Sequence, residues 1–307
     1  MVALALAVLA RGATVHAQQA AQGFAVERFY PAAPGGGWFV MDALDLHGGL
    51  GGAVSITAGY AHDPLRVGGT AVVAHQAFTD IGLALTYDRW RFSLNIAAPL
   101  LLAGDDATSG GVTFAAPSVD LASHPDRLSD ARLGVDVRIA GSADGPFRIG
   151  AGAQLWVPFG SRDEYDTDDT FRAMFRVLAA GDVGPFVYAA QVGAHVRPRD
   201  DGTPEAPRGS ELLFGAAAGA RIPVGSARSM AVILGPEIFG ATAFASPFGG
   251  GATALETLLT ARIEGLAADR LQMRVKLAGG AGLCACFGAP EWRVLVGVEI
   301  FNHAFRH

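Results

Sequence analysis

Three groups of residues in this sequence have types that could do chemistry. Asp163, Glu164, Asp166, Asp168 and Asp169 form an acidic run, Cys284 and Cys286 flank a single alanine, and His75, His124 and His195 are spread along the chain. Oxygen-rich loops bind calcium, but this run lacks the glycine and the distal glutamate of an EF-hand loop, so a solvated acidic loop is expected. Two thiols make an incomplete metal site. A disulfide across one residue needs a suitable Cα separation and orientation, so Cys284-Ala285-Cys286 is expected to be a loop with two small oxidisable residues. The histidines have no serine or acid at telling spacing and are expected to be polar interior or loop residues. Gly-x-Ser-x-Gly, His-Glu-x-x-His and a phosphate-binding glycine loop are all absent from the sequence. No catalytic, cofactor-binding or metal-binding residues are predicted, and no enzyme activity or cofactor.

The charges that do follow a pattern lie in segments of period two. In Ala131–Ile139, Ala, Leu, Val, Val and Ile alternate with Arg, Gly, Asp and Arg. A half-buried strand has this signature, and it recurs along the chain. Ile81, Leu83, Leu85 and Tyr87 form one such apolar row, and Leu271, Met273, Val275 and Leu277 another. By parity the polar face carries Arg132, Asp136, Arg138, Arg148, Arg172, Arg176, Glu237, Glu256, Arg262, Glu264, Arg274, Lys276, Arg293 and Glu299. Asp130, His195, Glu211, Arg221 and Glu291 share it. Acids and bases are interspersed, and two readings stand. Either the charges line a water-filled pore and set its selectivity, or they pair across the interior and fill it. Arg262 and Glu264 lie two apart on one face, and Arg274 and Lys276 on the neighbouring strand are placed to meet them.

The composition constrains the elements that carry these faces. Charged residues are 17% of the 307 and hydrophobic ones 50%, with a mean hydropathy of +0.31. A spanning helix needs about twenty mainly apolar residues. The longest charge-free run of the mature chain, Ile238–Leu255, is broken by Pro247 and three glycines. A lipophilic chain without such runs satisfies its backbone in lipid by closing a barrel. The expected fold is all-β, a transmembrane antiparallel β-barrel of about twelve strands. These are placed near 48–61, 71–87, 91–103, 129–140, 147–159, 170–181, 186–197, 211–222, 229–241, 254–266, 271–282 and 291–301. Connections after even strands are short, such as Asp88-Arg89-Trp90. Those after odd strands are longer, above all 104–128 and 198–210. Short periplasmic turns and longer outer loops follow if both ends of the barrel face the periplasm. Phe147 and Phe159, twelve residues apart on one face, would stand roughly 28 Å apart along the membrane normal, near the height of an apolar band between aromatic girdles.

The domain reading is a signal peptide at 1–17, an irregular N-terminal extension at 18–47, the barrel at 48–301 and a tail at 302–307. The signal rests on the apolar Val2–Ala10 core and the small-x-Ala pattern Val15-His16-Ala17. A basic n-region is missing, so the natural start is expected a few residues upstream. The net charge of −6 gives no case for nucleic acid.

Gly23-Phe24-Ala25-Val26-Glu27-Arg28-Phe29-Tyr30-Pro31-Ala32 and Gly37-Trp38-Phe39-Val40-Met41-Asp42 resemble the start of OmpA-family outer-membrane proteins of myxobacteria and related bacteria. Tyr60-Ala61-His62-Asp63-Pro64-Leu65, Phe186-Val187-Tyr188-Ala189-Ala190 and Arg197-Pro198 add to the likeness, which spans most of 23–300. The resemblance implies a barrel region without the peptidoglycan-binding domain that commonly follows it, and supplies no catalytic residues. The expected place is the bacterial outer membrane. The expected role is a passive small-solute channel or an envelope-structural barrel. A lipid-hydrolase type of outer-membrane enzyme, or a surface-binding module using the long outer loops, is the alternative. The expected partners are outer-membrane lipids, the barrel-assembly machinery and small solutes.

Overall fold

The structure, a computed structural model, describes residues 19–199, 209–224, 230–268, 271–284 and 286–302. The signal-peptide assignment, most of the 198–210 loop and the tail beyond Asn302 lie outside the described residues. The first element is β1 (Gln19–Ala20). The wall begins with β2 (Leu50–Val67), β3 (Thr70–Tyr87) and β4 (Trp90–Ala103), and three short strands follow: β5 (Ala107–Ser109), β6 (Val112–Phe114) and β7 (Ser118–Asp120). The wall resumes with β8 (Ala131–Ala140), β9 (Arg148–Val157), β10 (Arg172–Val183), β11 (Phe186–Val196) and β12 (Glu211–Val224). It ends with β13 (Met230–Ala243), β14 (Thr253–Ala268), β15 (Leu271–Gly282) and β16 (Trp292–Asn302).

Among the described residues twelve strands close antiparallel, each on its neighbour in sequence except where β4 passes over the short strands to β8. Closure joins the first and last wall strands, from Gly52 opposite Asn302 to His62 opposite Trp292. No edge is left to expose unpaired backbone groups to hydrocarbon.

The outer surface is apolar because the pleat sends alternate side chains outward. Ile56, Ile81, Leu83, Leu133, Leu155, Leu271 and Met273 are exposed there, and Val135, Val137 and Val275 are half-buried on the same face. Aromatics mark both rims. Tyr87, Trp90 and Phe92 lie at the periplasmic end, where Trp90 and Phe92 stack. Tyr60 and Trp292 meet at the outer end with ring centroids 5.1 Å apart. Leu50 pairs with Tyr87, so the ten residues from Leu50 to Tyr60 span the band. At about 3.3 Å per residue and a tilt near 45°, that is roughly 23 Å, the thickness of an outer-membrane apolar belt.

Two elements differ from the expectation. The β2–β3 hairpin runs past Tyr60 and Ala61 to a turn at Gly68-Gly69, with a bulge between His62 and Leu65. It continues because Leu65, Val67, Val72 and Val73 bury themselves with Phe24, Val26, Phe114 and Phe287 in an apolar cap over the outer mouth. The 104–128 connection is likewise structured. β5 and β6 form a hairpin, β1 adds to it in parallel, and β7 pairs with β4 beyond the end of β8.

Candidate functional site in the barrel lumen

Residues 23–47 lack a repeating period but contain Phe24, Phe29, Trp38, Phe39, Met41 and Leu44. These side chains are almost fully buried, because the segment threads the barrel from the outer cap to the periplasmic start of β2. Expected only as irregular, this extension is the core of the molecule. Glycines on the inner wall make room for it. A Cβ on Gly219 would lie 2.9 Å from the Trp38 ring, one on Gly82 2.6 Å from Pro34, and one on Gly150 3.0 Å from Leu44. Phe29, Trp38, Phe39, Met41 and Leu44 form one apolar cluster with Phe78, Leu178, Ile233, Phe239, Leu258 and Leu295 of the wall.

Charge fixes the segment at three levels. At the outer mouth, Asp168 Oδ1 accepts the Ala25 N–H (2.9 Å) and Arg197 Nη2 (2.8 Å), and Asp168 Oδ2 accepts Arg197 Nε (2.7 Å). Arg197 and Arg28 both donate to Glu211 Oε1, at 2.7 and 2.8 Å. Arg293 holds Glu27 (2.9 Å) and Glu256 (2.7 Å) together. At mid-height the Glu237 carboxylate accepts the N–H groups of Phe39 (2.9 Å), Val40 (2.9 Å) and Met41 (3.3 Å), and the Thr260 hydroxyl (2.7 Å). Lys276 donates to the Trp38 carbonyl (3.1 Å) and to Glu299 (2.7 Å), which also accepts Arg274 (2.7 Å). Lower down, Arg91 bridges Asp42 of the segment and Asp136 of β8, and Arg176 completes the Asp136 pair at 2.8 Å. Arg138 donates to the Leu46 carbonyl at 2.7 Å. Buried ions are costly unless paired and hydrogen-bonded, and here each charge of the segment named above meets an opposite charge of the wall or the outer loops.

The fourteen residues assigned by parity to the lumen lie inside the barrel, and all but Glu264 are buried, whereas Glu291, given the same parity, stands exposed before β16, beside His62 and Arg66. Arg262 Nε and Arg274 Nε both lie 3.1 Å from Glu264 Oε1. Arg148 joins Asp182 at 2.6 Å. Arg172 donates to Asp130 at 2.7 Å, and its guanidinium lies 5.5 Å from the Trp156 ring centroid. Sequence reasoning missed Glu27, Arg28, Asp42, Arg91 and Arg197. Glu27, Arg28 and Asp42, the few charges in a largely apolar stretch without period, were the available signal, because burial of that stretch demands partners for them.

The acidic run is solvated only in part: Asp163 and Asp169 are exposed, but Glu164 and Asp168 are not. Asp168 is 1% exposed and Glu164 8%, because arginines converge on them from other loops, Arg127 at 3.3 Å from Glu164 and Arg197 on Asp168. Burial alone would raise the Asp168 carboxyl, yet Arg197, Arg172 and the Ala25 N–H hold it well below the usual carboxylate range. His195 is buried in the lumen, its Nδ1 3.4 Å from the Tyr30 hydroxyl. His75 is neither interior nor in a loop. It stands exposed on β3 beside His62 and Tyr60. Cys284 and Cys286 are joined as a disulfide.

Asp166, in the outer loop between β9 and β10, behaves oppositely to Asp168. Burial pushes its carboxyl up to about 7, and Glu164 and Asp130 push the same way against the hydrogen bond from the Ser161 N–H. Between the unfolded carboxylate value and about 7 the folded loop keeps a proton that the unfolded chain releases, so stability falls as pH rises through that window. Asp166→Asn removes the ionisation. It is expected to leave unfolding unchanged near pH 4 and to stabilise the loop by about 1–3 kcal/mol at pH 8. Hydrogen exchange of residues 158–171 at the two pH values measures this, and parallel profiles for variant and wild type would refute it.

The space left around the segment is divided. A cavity of about 90 Å³ lies in the outer half beside Tyr30 and Trp156. A vestibule of about 330 Å³ lies towards the periplasm, lined by Trp38, Asp45, Arg148, Arg221, Arg262 and Arg274 among others.

The sequence matches no family model and no curated protein. Among solved structures it is similar to an outer membrane channel from Pseudomonas putida F1, with a TM-score of 0.52, 12% identity, and 83% of this chain and 95% of that chain covered. The NanC porin gives a TM-score of 0.49 at 7% identity, over 82% of this chain and 100% of that one. The translocator domain of the autotransporter NalP from Neisseria meningitidis gives 0.46 at 8%, over 83% and 88%. The likeness to the Pseudomonas structure is one of fold. With the closed wall and the apolar belt it makes this chain an outer-membrane β-barrel of the bacterial envelope.

Proposed function

We propose that this barrel is a passive, non-catalytic pathway for small solutes, held nearly closed by its own residues 23–47. The observation that carries the reading is the path of that segment. It crosses the lumen from the outer cap to the periplasmic rim and meets a charge of an outer loop or of the wall at each of three levels. What space remains lies beside it, in the outer and the periplasmic halves, and is lined by both signs of charge. A passive role fits the buried histidine–carboxylate contact in the lumen. Glu211, 3.7 Å from His195, is engaged by Arg28 and Arg197, so it is poorly suited to act as a base. We also propose affiliation with the OmpA-family barrels of myxobacteria. In support, the motifs at 23–32, 37–42 and 197–198 coincide with the lumen segment and one of its anchors.

Planar-bilayer recording on the refolded chain tests the pathway. Small, infrequent openings with weak preference for either ion sign are expected, because bases and acids in the lumen nearly balance. Steady porin-like conductance, or sharp anion selectivity retained at low salt, would overturn the reading.

A further inference from the structure

The outer cavity is bordered by both signs of charge, and one of its cations lacks a hydrogen-bonded partner. Its walls are Tyr30 from the lumen segment, Phe78 of β3 and Trp156 of β9, with Arg132 of β8, Arg172 of β10 and Gln76 of β3 as polar groups. Arg132 is 5% exposed. Among the described residues it donates no hydrogen bond and lies in no ion pair, and its Nη2 is buried without a partner. Asp80 attracts it through space, but Asp80 Oδ1 is already hydrogen-bonded to Asn95 at 2.6 Å. Arg172 donates from Nη2 to Asp130. Its Nε, 3.9 Å from Asp168, and its Nη1 have no hydrogen-bond partner. Gln76 Oε1 is also unpartnered.

A buried guanidinium without an acceptor carries an uncompensated desolvation cost, and an anion in the cavity removes it. Three features select the anion. The planar fork of a guanidinium matches a carboxylate. Asp80, Asp130 and Asp166, with Glu27 held by Arg293, border the same space and disfavour more than one negative charge. The aromatic walls favour an apolar body behind the charged head. Size sets a limit, since a cavity near 150 Å³ admits benzene and this one is about 90 Å³. We propose that the outer half of the lumen is a binding site for small aliphatic monocarboxylates of about two to four carbons, with the carboxylate on Arg132 and the alkyl end against Phe78, Tyr30 and Trp156. The site belongs to the outer half of the lumen and stands whether or not the barrel conducts.

The test is a binding measurement on the refolded full chain in micelles, separate from any conductance recording. Isothermal titration with propionate is expected to saturate, and Arg132→Gln to weaken it about 10- to 100-fold, the loss of charge-assisted hydrogen bonds. Arg148→Gln, in the periplasmic vestibule, should leave it within about twofold, since exposed or distant charges contribute little. Propionate that fails to saturate, or that binds folded Arg132→Gln as tightly as wild type, overturns the proposal. So does preferential binding of inorganic phosphate. If Arg132→Gln does not fold, a series from formate to octanoate on the wild type decides. An affinity maximum at two to four carbons supports the site, and affinity rising steadily with chain length, as for partition into micelles, refutes it.

Discussion

Glu237→Ala is expected to convert the nearly closed barrel into one that opens frequently. Glu237 is fully buried and is the acceptor for three consecutive N–H groups of the lumen segment, at Phe39, Val40 and Met41. That stretch makes no ladder with the wall, so one carboxylate satisfies backbone groups that a strand partner would otherwise take. Leaving a buried donor unsatisfied costs about 1–3 kcal/mol, so a single uncompensated loss shifts the closed-to-open equilibrium about 5- to 150-fold. The wall is spared, because its strands are held by their own hydrogen-bond ladder and Glu237 lies on an inward face. Single-channel recording reads the effect as open probability, with heat-modifiable mobility confirming that the barrel has formed. A folded variant with wild-type conductance would mean that the segment is not held at this point. Glu237→Gln, which retains one acceptor oxygen, should fall between the two.

Ile56→Arg is expected to be among the most damaging single changes on the outer surface. Ile56 is 52% exposed, opposite Ile81 and Val298 near the middle of the apolar belt. Arginine at the bilayer midplane costs about 2–4 kcal/mol, falling to about 0–1 near the interfaces. Leu50→Arg, on the same face of the same strand but at the periplasmic rim beside Tyr87, is therefore the control. Folding into lipid vesicles followed by denaturant titration should separate the two by about 2 kcal/mol or more. Equal stabilities would displace the membrane from the position that the aromatic rims assign to it.

Much of the wall was legible in the sequence because its cause is local. In a strand the Cβ direction reverses at each residue, so the alternation in Ala131–Ile139 or Leu271–Leu277 states which side chains share a face before any partner is known. The absence of a long apolar run then required closure, since lipid supplies no hydrogen bonds to an open edge. The inward parity of Arg132, Arg262 and Glu299 followed from the same reasoning. Strand ends were less legible. Nothing local distinguishes membrane strand from outer hairpin at His62-Asp63-Pro64, and β2 continues there only because the cap buries Leu65 and Val67.

What occupies the lumen was decided by tertiary structure alone. Residues 23–47 carry no period, so their sequence announces an irregular segment and not its location. Their partners lie far off in the chain, Glu211 for Arg28, Glu237 for Phe39 and Arg293 for Glu27, and only strand order and register bring those groups to one axis. The same holds for the acidic run, where Asp168 is surrounded by Arg172, Arg197 and Arg199 and is a buried anchor rather than a solvated charge. A side chain's face is set by its own backbone. Whether that face meets water, a counter-ion or another part of the chain depends on the closed barrel.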